Sequence, residues 1–119
     1  MKKILIVDDE KDIRTLLEEW FKFKWHGYEV ILAKNGEEGL AIFRKSPTDF
    51  KLVVTDHRMP RILGEEMIRQ IKQLNPIVPI VLMTADVDII PVAKAAGADE
   101  ILEKPWKLES LEKIIQKFF

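Results

Sequence analysis

Five short runs of branched aliphatic residues recur along the chain, each followed by a longer stretch whose apolar residues return every three or four positions. The runs are Ile4–Val7, Tyr28–Leu32, Leu52–Thr55, Ile80–Met83 and Ile101–Leu102. They are apolar continuously rather than at alternate positions. That predicts strands buried on both faces, hence a parallel sheet with helices on each side. The stretches between them predict the helices. The first spans Asp12 to Lys24, with Ile13, Leu16, Leu17, Trp20 and Phe21 on one face. The second is capped by Asn35, carries Leu40 and Phe43, and ends near Ser46-Pro47. The third spans Glu65 to Leu74, with Met67, Ile68, Ile71 and Leu74 inward. A short fourth lies between Ile89 and Ala96 and is closed by Gly97. The last, Lys107 to Phe118, buries Leu108, Leu111, Ile114, Ile115 and Phe118. A (βα) unit repeated five times gives an α/β three-layer sandwich, and right-handed crossovers leave few strand orders for it.

Length and composition narrow the function. The 119 residues suit one domain, and 47% apolar content is enough for a real core. Charged residues are plentiful but nearly cancel, to a net charge of −1. Nucleic acid or an anionic membrane is therefore not the expected partner, since both call for a basic surplus. The absence of cysteine excludes disulfides, thiolate metal sites and cysteine nucleophiles. The apolar run Ile4–Val7 gives way at once to Asp8-Asp9-Glu10, too short for a secretory signal. No apolar stretch approaches the roughly 20 residues of a membrane span. The expectation is a soluble, cytoplasmic protein.

In an open parallel sheet, ligands bind beyond the carboxyl ends of the strands, where the strand order reverses. The first run leads into Asp8-Asp9, the third into Asp56, the fourth into Thr84 and the fifth into Lys104. In the order 2-1-3-4-5 the first and third strands are neighbours. Three carboxylates then meet, with a hydroxyl and an ammonium beside them. Crowded carboxylates repel, which raises a pKa or calls for a cation. An all-oxygen donor set without cysteine or clustered histidine points to Mg2+ rather than Zn2+. A carboxylate beside both a divalent cation and a lysine has the setting of a nucleophile for phosphoryl transfer.

Together these residues resemble the receiver domain of bacterial two-component response regulators. The matching elements are Ile4-Leu5-Ile6-Val7-Asp8-Asp9-Glu10, Asp56-His57-Arg58-Met59-Pro60 with Gly64 beyond it, Val81-Leu82-Met83-Thr84-Ala85, Ala96-Gly97-Ala98 and Lys104-Pro105-Trp106. The resemblance covers essentially the whole chain. It implies a flavodoxin-like (βα)5 fold with sheet order 2-1-3-4-5, one receiver domain over 1–119 and no output domain. It also implies that Asp56 accepts a phosphoryl group from a sensor histidine kinase, a phosphotransfer protein or a small phosphodonor. Mg2+ would be held by Asp9 and Asp56, by Asp8 through water, and by the backbone carbonyl of Arg58. Thr84 would bond one phosphoryl oxygen and Lys104 would pair with another, with Pro105 in the cis form. Such a domain is not an enzyme with a separate substrate. It catalyses its own phosphorylation and dephosphorylation and presents a changed face to a downstream protein target, as a monomer or weak dimer.

The sequence departs from that pattern in places. Receivers often carry Tyr or Phe three residues before the lysine, where this chain has Ile101. The segment from Thr84 to Gly97 is short and holds Pro91, which is tolerated only in a first helical turn. The fourth helix should therefore begin near Ile90-Pro91, after a mobile loop from Ala85 to Ile89. Arg58 and Asp86 carry opposite charges, either meeting across the pocket mouth or merely solvated. Strand alternation points the His57 side chain away from Asp56, so no role is assigned to it. His26 falls in a glycine turn, in solvent. Trp20, Phe21, Phe23 and Trp25 form an aromatic cluster, and Trp106 is partly exposed. Two other functions stay open on the residues alone: an aspartyl-intermediate phosphatase acting on a separate substrate, and a pseudo-receiver serving only as an interaction surface.

Overall fold

The computed structural model, which describes residues 2–119, arranges the apolar runs as five parallel strands in the order β2-β1-β3-β4-β5. The elements are β1 (Lys3–Val7), α1 (Lys11–Lys24), β2 (Glu29–Ala33), α2 (Gly36–Lys45), β3 (Phe50–Asp56), α3 (Gly64–Leu74), β4 (Ile80–Thr84), α4 (Ile90–Ala96), β5 (Glu100–Glu103) and α5 (Leu108–Gln116). Successive side chains of a strand face opposite sides of the sheet, and two cores follow from that. Leu5, Val7, Val53, Ile80 and Leu82 pack against Leu40 and Phe43 of α2, Met67, Ile68 and Ile71 of α3, and Ala93 of α4. Ile4, Ile6, Leu52, Val54, Val81 and Met83 pack against Leu17 and Phe21 of α1 and Leu111 and Ile115 of α5. No helix of the described residues is long and apolar enough to cross a membrane.

Local signals set the ends of the elements. Asn35 caps α2 by accepting the Glu38 N–H at 2.8 Å, and Glu38 reaches back to the Lys34 N–H. Gly97 closes α4 at φ 122°, a region that a side chain strains to enter. Pro91 sits in the first turn of α4, as its missing N–H requires.

Several details refine or change the expectations. Helix α4 begins at Ile90, as expected, and the segment before it holds a 3-10 turn over Val87–Ile89, started where Asp86 accepts the Asp88 N–H at 3.0 Å. Helix α5 ends at Gln116 rather than Phe118. Phe23 is 80% exposed and leaves the aromatic cluster, because it falls on the outer side of α1. Phe119 takes its place, with ring centroids 5.2 Å from Trp25 and 4.8 Å from Tyr28. Leu16 at 42% and Leu74 at 40% are exposed, against the expectation that both face inward. His26 is exposed, as expected.

The strand register brings the chemistry to one edge. Val7 lies opposite Thr55, Asp56 opposite Met83 and Thr84 opposite Glu103, so Asp8, Asp56, Thr84 and Lys104 all emerge at the same end of the sheet. Helix α3 closes tightly on that end. A Cβ on Gly64 would meet the Asp56 carbonyl oxygen at 2.5 Å and His57 Cα at 3.1 Å, and backbone there cannot yield as a flexible side chain can. Gly64→Ala should therefore lower stability in urea unfolding by about 1–3 kcal/mol. Gly27→Ala, with nothing within 4 Å, should stay within about 0.5 kcal/mol of wild type.

Candidate functional site

Asp56 ends β3 and is 4% exposed. Its Oδ1 accepts from Lys104 Nζ at 2.8 Å and from the His57 backbone N–H at 2.8 Å. Lys104 follows β5, and its backbone N–H donates to the Thr84 carbonyl at 2.7 Å, which ties the exit of β5 to the end of β4. Burial works against the Lys104 charge. The hydrogen bond and charge of Asp56, with Asp8 and Glu10 behind it, outweigh that and hold its pKa above the ordinary lysine value.

Asp8 is fully buried at the end of β1. Its Oδ1 accepts the Glu10 N–H at 2.9 Å, and Arg14 Nη1 donates to its carbonyl at 2.8 Å. Its Oδ2 is buried with no hydrogen-bond partner. Burial pushes the Asp8 carboxyl up to about 6, against the pull of the Glu10 N–H and with the Asp56 charge adding to the rise. Carboxylate oxygens of Asp8, Asp9 and Glu10 lie within 4.8 Å of one another, with Asp9 and Glu10 exposed. Asp56 is not one of that group; its Oδ1 is engaged by Lys104. The orphaned Asp8 oxygen and the all-oxygen donor set suit a hard divalent cation such as Mg2+.

Thr84 is 2% exposed. Its Oγ1 accepts the Asp86 N–H at 3.0 Å and lies 3.3 Å from His57 Nδ1. The His57 ring turns away from Asp56, as strand alternation requires, and its Nε2 meets Glu65 Oε2 at 3.0 Å. This buried His57–Glu65 pair is not evident from the sequence. Its one signal there is a carboxylate directly after the glycine that lets α3 approach β3. Glu10, too, has no role assigned by sequence, although it completes the acidic group. Arg58 and Asp86 do meet, at 3.9 Å, but Arg58 is 79% exposed, and such surface pairs contribute about 0–1 kcal/mol. Asp56, His57, Arg58, Thr84, Ala85, Asp86 and Lys104 line an open cleft of ≈ 370 Å³.

Residues 4–116 match the response regulator receiver domain. The chain belongs to that family. Among its relatives, it is 40% identical over 113 residues to the probable transcriptional regulator ycf27 of Porphyra purpurea, covering 93% of this chain and 44% of that protein. It is 34% identical over 119 residues to sporulation initiation phosphotransferase F of Bacillus subtilis, covering 98% and 93%. The chain thus spans less than half of the first relative and nearly all of the second. Among solved structures, the response regulator protein TrrA of Thermotoga maritima, in complex with Mg2+-BeF, is 36% identical with TM-score 0.86 over all of both chains. The chemotaxis response regulator CheY4 of Vibrio cholerae is 31% identical with TM-score 0.87, covering 100% and 99%. The five-stranded 2-1-3-4-5 architecture is the one shared with these receiver domains.

The raised Asp8 pKa makes stability depend on pH. The folded carboxyl titrates near 6, above its usual 3.8, so the folded state holds that proton more tightly than the unfolded state does. Asp8's contribution is most favourable below about pH 4 and declines as the pH rises through about 6. In metal-free buffer at pH 7.5, Asp8→Asn should exceed wild type in urea-unfolding stability by about 1–2 kcal/mol, and the gap should close by pH 4.

Proposed function

We propose that this receiver domain is a phosphorylation-dependent signalling switch whose phosphoacceptor is Asp56. The observation that carries the reading is the placement of the Asp56 carboxylate. It faces an open cleft, is held by Lys104 at 2.8 Å, and stands beside a buried Asp8 with one unpartnered oxygen. Oδ1 of Asp56 is occupied by two donors, which leaves Oδ2 as the attacking atom. Oδ2 forms the new bond to phosphorus. The bond from phosphorus to the donor breaks, and its electron pair leaves with the donor. The donor is the phosphohistidine of a sensor histidine kinase or phosphotransfer protein, or a small acyl phosphate.

Lys104 supplies positive charge to the transferring oxygens, and the Thr84 hydroxyl donates to one of them once Asp56 is modified. Asp8, Asp9, Asp56 and the backbone carbonyl of Arg58 are the proposed holders of Mg2+, which when bound neutralises the acidic edge and offsets charge on the phosphoryl oxygens. The domain in this reading turns over no separate substrate. Its product is its own altered surface, read by a downstream protein.

Incubation with acetyl phosphate and Mg2+, followed by intact-mass measurement, tests the proposal. Wild type should gain one phosphoryl group, EDTA should prevent it, and Asp56→Ala should gain none. An unmodified wild type in Mg2+, or equal modification of Asp56→Ala, would overturn the assignment.

A further inference from the structure

The chemistry proposed for Asp56 leaves a buried pair unused: His57, 5% exposed, and Glu65, whose side chain is 14% exposed. Neither binds Asp56 through its side chain, yet together they reach the residue that must respond to phosphorylation. Glu65 Oε2 lies 3.0 Å from His57 Nε2, and His57 Nδ1 lies 3.3 Å from Thr84 Oγ1. Glu65 is held there firmly, because Gly64 before it already sits against the Asp56 carbonyl and the His57 backbone, and the Gly64 N–H donates to the His57 carbonyl at 2.9 Å.

The donor and acceptor roles follow from the inventory of each group. An ionised carboxylate only accepts; with the imidazole in its neutral form, Glu65 therefore takes the N–H on Nε2 and leaves Nδ1 as an acceptor. The group facing Nδ1 is the Thr84 hydroxyl, which then donates to it. Thr84 meanwhile accepts the Asp86 N–H at 3.0 Å, and the alternative acceptor, the Asp86 carbonyl, is farther away at 3.5 Å. A threonine has one hydroxyl proton. Phosphoryl oxygens on Asp56 are acceptors too, and they need that same proton.

We propose that Glu65 and His57 form a latch that holds the Thr84 hydroxyl proton in the unmodified protein. They are positioning residues: phosphorylation at Asp56 recruits Thr84 only by breaking its bond to His57. The proposal rests on the reading of Asp56 as phosphoacceptor. Its consequence is a protein poised toward the unswitched state, with the apparent affinity for a phosphoryl group reduced by the fraction of molecules in which Thr84 is free. One intramolecular hydrogen bond in a buried setting gives a bias of about tenfold.

Removing one member alone would strand its buried partner, so the two are replaced together by apolar groups of similar shape, which is the substitution folded proteins tolerate best. The test is the affinity of His57→Phe/Glu65→Leu for beryllium trifluoride in saturating Mg2+, followed by amide NMR and compared with wild type. The same pair of substitutions is also made on a Thr84→Ala background. The latch predicts about tenfold tighter binding by the double variant, and no difference from the pair once Thr84 is replaced. A merely structural role would shift the melting temperature without this dependence on Thr84. Unchanged or weaker binding, or a gain that persists with Thr84→Ala, overturns the latch while leaving the phosphoacceptor reading intact. A wild type that binds no beryllium trifluoride overturns both.

Discussion

The bond between Lys104 Nζ and Asp56 Oδ1, 2.8 Å long, organises the carboxyl end of the sheet. Strand register forces acidic residues together there. Asp8 is buried at the end of β1 and Asp56 at the end of β3, with Asp9 and Glu10 on the rim. Lys104 meets part of that negative charge and is drawn inward by it, against the cost of its own burial. The remainder shows in Asp8, which has one oxygen without a partner and a pKa lifted to about 6. An edge so composed favours whatever brings positive charge. Two apolar cores, one on each side of the sheet, hold the strands in the register that creates the imbalance.

Much of this is legible in the sequence because the signals are local and redundant. Continuous apolar runs mark the strands, and Asn35, Pro91 and Gly97 mark helix ends through their own backbone chemistry. The ends of the runs single out Asp8, Asp56, Thr84 and Lys104, because strand ends in a parallel sheet must converge. What is not legible depends on contacts between elements. Phe23 shares the spacing of an aromatic cluster but falls on the outer side of α1, and Phe119 reaches Trp25 from the far end of the chain. The 3-10 turn after β4 depends on one Asx bond from Asp86, which has no periodicity to announce it.

His57 is the instructive case. Alternation along β3 correctly turns its ring away from Asp56, but alternation says nothing of what another helix brings to meet it. Glu65 arrives from α3, Thr84 from β4, and only the packing of those elements joins the three. Nearby on β5, Ile101 is partly buried and packs with Ile89 against the core. An aliphatic side chain there cannot exchange a phenol between core and solvent, so Thr84's own bonds to His57 and Asp86 are the polar contacts that hold its hydroxyl. Helix α4, seven residues long and buried through Ala93 and Ala96, is attached by little apolar area.

If Asp56 is the phosphoacceptor, a crystal structure of the chain with Mg2+ and beryllium trifluoride should show it. Beryllium would be bonded to an Asp56 carboxylate oxygen, Lys104 Nζ moved from the carboxylate onto a fluorine, and Mg2+ held by Asp9 and Asp56. Mg2+ seated on Asp8, Asp9 and Glu10 alone, with Lys104 still bonded to an unmodified Asp56, would refute that role for Asp56.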